Sequence, residues 1–310
     1  DIVKKWQDYK TRFRLRLNRF DDRKRFFNYA KNCIFIRTVN RINLSYEVEE
    51  NEFTHLTREE YFKLLNTFAL EGFNTPDSNI ESHPDLTEPY ERAITNINRD
   101  WRAQKVVTAV KNQGQCGSCY AFSAISALES ARAIKSGKLV RLSEQSIVDC
   151  SNKYGNQGCN GGYLINTFNY LMSNPISEES AYPYKGTQGP CRISISGNQG
   201  QIERYVRVKK GNEDDLTMAI FNKGPVAISI DSRLDSFRFY KSGIYSDVRC
   251  SSTSLNHGVT AVGVTSGPTP HFIIKNSWGS SWGEGGYIRI ARDKQNLCGV
   301  ATDAVYPVLI

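Results

Sequence analysis

One short stretch constrains this chain more than any other: Asn112-Gln113-Gly114-Gln115-Cys116-Gly117-Ser118-Cys119-Tyr120-Ala121-Phe122-Ser123. Glycines and small residues make a loop. Phe122, Ile125, Leu128 and Ala131 then recur at helical spacing, so a helix begins at or beside Cys119. A helix start carries unpaired N–H groups and the positive end of the backbone dipole. A thiol there loses its proton more readily, and the thiolate is the nucleophile. Three readings of these residues stand side by side: a buried cysteine or half of a disulfide, a Cys116/Cys119 redox or metal pair, and a nucleophile with a structural cysteine three residues upstream.

The rest of the chain narrows the choice. Its 310 residues suffice for one large or two ordinary domains. No apolar run approaches the length of a membrane span. Asp1-Ile2-Val3-Lys4-Lys5 does not read as a signal peptide, so any such segment would already be removed. Up to residue 94 there are 16 Lys and Arg against 16 Asp and Glu; from 95 onward there are 24 against 16. That surplus is spread out, and no nucleic-acid-binding motif accompanies it, so it reads as solvated surface. The four histidines are far apart and give no metal-ligand spacing, and no redox setting surrounds Cys116 and Cys119; neither a metal nor a cofactor is expected.

Residues 1–45 read as two helices. Trp6, Tyr9, Phe13, Leu17 and Phe20 give the first an apolar face. The second carries Asp21, Arg25, Tyr29, Asn32, Ile36 and Asn40 on one stripe, mixing polar and apolar side chains as a plain core face would not. Thr57 and Glu60 form a capping box for a short helix. From Glu71 to Asn98 the chain turns polar, with Pro76, Pro84 and Pro89, which is extended linker composition. Trp101 to about Arg204 reads as helix and loop. A helix from Cys119 stops at Gly137, another starts after Ser143, and a glycine-dense loop runs from Asn156 to Gly162. From Tyr205 the pattern turns to strands, with candidates within Ile220–Asp231, Val259–Val264, His271–Lys275 and Tyr287–Ala291.

The Cys116-Gly117-Ser118-Cys119-Tyr120 segment resembles the active-site segment of papain-like cysteine peptidases, cathepsin L-type enzymes above all, in which a His and an Asn follow roughly 130–150 residues downstream. Here Leu255-Asn256-His257-Gly258-Val259 lies 138 positions after Cys119, and Lys275-Asn276-Ser277-Trp278-Gly279 lies 157 after it. Tyr120 stands where the family usually has Trp. The stripe on the second helix resembles the cathepsin L-type propeptide signature, with Asp21 for Glu and Tyr29 for Phe. Glu49-x-Asn51-x-Phe53-x-His55 resembles its second motif, with Glu49 for Gly and His55 for Asp. His55 would gain charge on acidification where an Asp would lose it.

The resemblance implies an α+β class: a two-lobed papain-like fold, helical left lobe and β-barrel-like right lobe, preceded by a helical propeptide. It divides the chain into an inhibitory propeptide, 1–94 (helical 1–65, extended and cleft-blocking 66–94), and a peptidase domain, 95–310. The chain would be a cysteine endopeptidase made as an autoinhibited zymogen. Cys119 and His257 would form a thiolate–imidazolium pair, Asn276 would orient the ring under the cover of Trp278, and Gln113 would serve the oxyanion with the Cys119 N–H. A catalytically impaired binding homologue, marked by Tyr120 and His55, is the alternative.

The eight cysteines are Cys33 and seven from Cys116 onward. Six paired cysteines allow 15 connectivities, and the resemblance selects Cys116–Cys159, Cys150–Cys191 and Cys250–Cys298, leaving Cys119 free. It also places Gly161 and Gly162 on one wall of the substrate cleft, and Tyr163, Leu164, Ser229, Leu255, Gly258 and Asp303 around the pocket for the P2 side chain. That pocket would prefer apolar residues and accept Arg through Asp303. The expected partners are polypeptide substrates, the chain's own propeptide and cystatin-type inhibitors, with the protein a monomer. Bridges of this kind point to the lysosome or the secretory route. Asn43-Leu44-Ser45 is a glycosylation sequon within the propeptide.

Overall fold

The structure is a computed structural model that describes residues 1–65, 97–192 and 202–310. The expected extended segment 66–94, and with it the expected start of the peptidase domain near Thr95, lies outside the described residues; the polar stretch read from Glu71 ends in a strand at Asn98–Asp100.

Two helices open the chain, α1 (Ile2–Arg12) and α2 (Arg19–Asn40). The first stops earlier than its apolar spacing suggests. Arg14 adopts a left-handed conformation, and the Asn18 side chain accepts the N–H of Asp21 and so starts α2. The turn lets Leu15 and Leu17 fold back on a small core of Trp6, Tyr9, Tyr29 and Cys33. Phe20 is left 80% exposed, not on a common face with Trp6.

The mixed stripe on α2 now has a physical reason. Its polar members grip the backbone that follows: Asn32 donates to the carbonyl of Thr54, Asn40 both donates to Val48 O and accepts from Val48 N, Tyr29 donates to Glu50, and Arg25 pairs with Glu60. The short helix α3 (Arg58–Phe62) has the capping box read from Thr57 and Glu60.

The helical lobe is built on α4 (Cys119–Ser136), which ends at Gly137 with φ 72°, a conformation glycine adopts without strain. It packs with α5 (Glu144–Cys150) and α6 (Leu164–Ser173) through Ile125, Leu128, Ile147, Phe168 and Leu171.

The second lobe is one mixed sheet. Its strands are β1 (Tyr46–Val48), β2 (Asn98–Asp100), β3 (Ile202–Arg207), β4 (Val226–Ile230), β5 (Tyr240–Tyr245), β6 (His257–Thr265), β7 (His271–Lys275), β8 (Tyr287–Ala291) and β9 (Asp303–Leu309). Their order is β1-β5-β8-β7-β6-β4-β9-β3, with β2 pairing β6. Among the described residues the two ends of this path do not pair, so the expected barrel-like lobe is an open sheet. One end is capped by the N-terminal region, since β1 adds antiparallel to β5. The strand expected within Ile220–Asp231 is β4 at Val226–Ile230. Asn212 and the acidic Glu213, Asp214 and Asp215 start a helix, α7 (Glu213–Asn222), whose first turn those charges favour.

The three bridges are Cys116–Cys159, Cys150–Cys191 and Cys250–Cys298, the pairing the resemblance selects; Cys33 and Cys119, both buried, are in no disulfide.

Candidate active site

Cys119 is the first residue of α4, and His257 the first of β6. The two elements meet closely. A Cβ on Gly258 would come within 2.9 Å of the Cys119 carbonyl oxygen, so only glycine lets β6 approach the start of the helix. His257 Nε2 lies 2.8 Å from Asn276 Oδ1, while its Nδ1 has no hydrogen-bond partner among the described residues. With one ring nitrogen committed to Asn276, the other is left for a proton donor or acceptor beside it. Trp278 stacks on the imidazole at 4.7 Å and is itself buried. Burial lowers the pKa of His257 to about 4, against the smaller opposing effect of Asn276.

Gln113 is fully buried and tied on three sides. Its Oε1 accepts from Ser277 Oγ at 2.6 Å, and its Nε2 donates to Cys116 O at 2.9 Å and to Leu64 O at 3.2 Å. Leu64 belongs to the N-terminal region, so a backbone carbonyl from that region occupies the amide donor. The same region presses on Trp278, with Phe53 at 5.1 Å and Tyr61 at 5.9 Å, both edge-on.

The expected pocket residues divide into two groups. Gly258, Ser229 and Asp303 form one row across neighbouring strands: Ser229 pairs with Gly258 on one side and with Asp303 on the other. Ser229 Oγ donates to Asp303 Oδ2 at 2.6 Å, and burial raises the carboxyl's pKa. Leu255 is buried beside the start of β6. Leu164 is buried in the helical lobe, and Tyr163 precedes it with its N–H held by Asn156 Oδ1 at 2.9 Å. Gly162 packs tightly: a Cβ there would meet Asn156 Oδ1 at 2.4 Å. Gly161 has φ 117° and its carbonyl accepts from Gln157 N at 2.8 Å. Tyr120 is buried and its hydroxyl donates to Gly158 O at 2.9 Å, so the ring that replaces Trp is fully accommodated.

Three features lay beyond the sequence reading. Lys275, next to Asn276, is buried and donates to Thr108 Oγ1 at 2.9 Å; burial lowers its pKa to about 8. Thr108 in turn donates to Glu129, which with Glu144 flanks Lys111 at 2.7 and 2.6 Å. Burial opposes the charge on Lys111, but the two carboxylates prevail and hold its pKa above the usual range. This buried cluster ties the end of β7, next to Asn276, to the helix carrying Cys119. Arg238 is the third feature. It is 1% exposed, donates to the carbonyls of Phe53 and Leu56, and lies over the Tyr61 ring. No sequence pattern marks any of these, because each depends on partners distant along the chain.

Comparison with known proteins agrees with this geometry. Residues 96–308 match the papain family cysteine protease model, and residues 6–61 match the cathepsin propeptide inhibitor domain. A cathepsin L-like protein of Caenorhabditis elegans is 41% identical over 99% of this chain and 92% of its own length. Cathepsin S of Bos taurus is also 41% identical, over 88% of this chain and 83% of its own length. Among solved structures, the digestive procathepsin L 3 of Tenebrio molitor larval midgut superposes with a TM-score of 0.87 at 34% identity, covering 99% of both chains. The chain belongs to the papain family of cysteine proteases, as a cathepsin L-type proenzyme that carries its propeptide inhibitor domain.

Proposed function

We propose that this peptide hydrolase works through Cys119, His257, Asn276 and Gln113. His257 takes the Cys119 proton to give a thiolate–imidazolium pair, the thiolate attacks the scissile carbonyl, the imidazolium returns that proton to the leaving amine as the thioester forms, and the neutral ring then draws a proton from the water that displaces the thiolate. Asn276 holds the ring, Trp278 keeps water from that bond, and the Gln113 amide with the Cys119 N–H steadies the oxyanion. The observation that carries the reading is the His257–Asn276 hydrogen bond, which leaves Nδ1 without a partner among the described residues on a strand that meets the start of α4. Acid-processed enzyme should react with iodoacetamide or an epoxide fast and at Cys119 alone, and Cys119→Ala should lower kcat at least 10⁴-fold with the fold intact. Slow or scattered alkylation would favour the impaired binding homologue instead.

The proenzyme is kept latent by residues 1–94, with 95–310 as the peptidase. Leu64 O on the Gln113 amide supports this division, since a carbonyl already fills the place of the substrate's. The P2 pocket takes an apolar side chain along Gly161, Gly162, Tyr163, Leu164, Leu255 and Gly258, and accepts Arg through Asp303. The Gly258–Ser229–Asp303 row supports it. Relative rates for Arg and Phe at P2 before and after Asp303→Ala decide the point: an unchanged ratio removes Asp303 from the pocket. The freed cleft would also take cystatin-type inhibitors, the enzyme acts as a monomer, and its place is the lysosome or the secretory route. Asn43 is exposed at the turn between α2 and β1, open to glycosylation.

A further inference from the structure

The outward face of α2 has a composition that the propeptide's inhibitory role does not use. Phe20, Arg23, Lys24, Phe27, Lys31 and Ile34 follow one another at steps of three, one, three, four and three, an arc of roughly 100° on the helix. All six are exposed, and the three apolar ones heavily so: Phe20 80%, Phe27 60% and Ile34 64%. The opposite face, with Arg25, Tyr29, Asn32 and Asn40, is already committed to residues 48–60. The apolar stripe is therefore not a core face awaiting its core.

The charge around it is one-sided. The balanced total of the first 94 residues hides a dipole: thirteen Lys and Arg against five Asp and Glu up to Val48, then three against eleven from Glu49 to residue 94. No acidic residue occurs between Arg23 and Tyr46. The acids nearest this face are engaged or marginal. Asp22 pairs with Lys10, Asp21 accepts from Asn18 and Glu60 pairs with Arg25; Glu59 stands at the rim, on the side of Lys31.

An apolar stripe flanked by bases is the arrangement of a helix that lies in the headgroup layer of a bilayer, rings inward and ammonium and guanidinium groups on the anionic headgroups. A soluble polyanion would need the bases but would have no use for two phenylalanines and an isoleucine held in water. We infer that the outward face of α2 docks the proenzyme on an anionic lipid surface. Docking is then a property of the proenzyme alone, since removal of the propeptide removes the face, and it is independent of the catalytic reading.

The intact proenzyme, alkylated to prevent processing, should be sedimented at low salt with phosphatidylcholine vesicles containing about one-third phosphatidylserine, and with phosphatidylcholine vesicles alone. Binding should be at least tenfold tighter to the anionic vesicles and should fall with salt. Phe20→Ser/Phe27→Ser and, separately, Lys24→Glu/Lys31→Glu should each weaken it about tenfold or more. These are exposed positions, and unchanged circular dichroism with retained latency verifies folding. The processed enzyme should stay in the supernatant. No sedimentation with anionic vesicles overturns the inference. So does equal binding by the phenylalanine variant, which would make the face a polyanion site read by charge alone. Concentration-dependent dimerisation that the phenylalanine variant abolishes, without vesicle binding, assigns the stripe to a second copy and overturns it as well.

Discussion

The enzyme and the propeptide that covers it are held together by different physics. The two lobes from residue 97 onward contain all three disulfides and two extensive apolar cores, the larger shared with the propeptide, with a buried ionic cluster between helix and sheet. The propeptide's separate core is four side chains, Trp6, Tyr9, Tyr29 and Cys33. The rest of its hold is borrowed from the enzyme: Tyr46, Val48, Phe53, Tyr61, Leu64 and Leu65 are buried in the enzyme's larger apolar core, β1 pairs with β5, and Arg238 and Asn51 add hydrogen bonds. Apolar burial and cross-links persist across conditions, whereas hydrogen bonds and charges respond to pH and competition. The propeptide has no disulfide among the described residues and shares the enzyme's apolar core, so the hydrogen bonds and charges at its edges are the part of its hold that pH can change.

The largest effect that would sharpen this contrast lies in the enzyme. Glu129→Ala leaves Lys111 and Lys275 short of a buried counter-charge and should cost about 3–5 kcal/mol. Thermal unfolding should show a similar loss in proenzyme and processed enzyme. A loss confined to the proenzyme would mean the cluster stabilises the propeptide contact instead.

The pH dependence comes next. His55 sits near Arg25, Arg238 and Glu60, and its Nδ1 lies 2.9 Å from the Tyr9 hydroxyl. Burial, helped by Arg25, lowers its pKa to about 4 from the usual 6.5. A histidine whose pKa is lowered in the closed state stabilises that state while neutral. The stabilisation is complete above pH 6.5 and is lost as pH falls towards 4, up to about 3 kcal/mol in total. His55→Gln should therefore flatten the acid dependence of propeptide release between pH 6.5 and 4, measured as the rate of appearance of active enzyme. An unchanged profile would clear His55 of any part in it.

Smaller effects follow at the borrowed contacts. Arg238→Leu removes the donors to Phe53 O and Leu56 O, and two carbonyls left without a donor should cost about 1–3 kcal/mol. Activity of the unprocessed chain should rise tenfold or more, while the processed enzyme's kcat/KM on a short substrate stays within twofold. Thr57→Ala removes one cap at α3 and should cost about 1 kcal/mol of proenzyme stability, with no effect on the processed enzyme. Equal destabilisation of both forms would break the comparison.

Much of this was legible from local pattern. The helix from Cys119 to Gly137 declares both its ends, the capping box at Thr57 is a four-residue signal, and the strands at His271–Lys275 and Tyr287–Ala291 alternate or run apolar as strands should. Errors fell where a local signal was outvoted. The spacing from Trp6 to Phe20 suits one face, but Arg14 and Asn18 turn the chain before it is completed. The acidic start at Glu213 makes a helix, Glu213–Asn222, within the half that the pattern from Tyr205 onward reads as strands.

The sequence by itself determined the chemistry available: a thiol at a helix start, a histidine and an asparagine downstream, and a stripe that mixes polar and apolar residues on one helix face. Only the tertiary structure decided what those groups meet. Leu64 lies on Gln113, Lys275 lies behind Asn276, and Arg238 lies beneath the propeptide. Spacing along a chain fixes which face of an element a side chain shares with its neighbours. Hydrogen bonds and buried charges need partners within a few ångströms, and chain order says nothing of distance between residues some fifty to nearly two hundred positions apart.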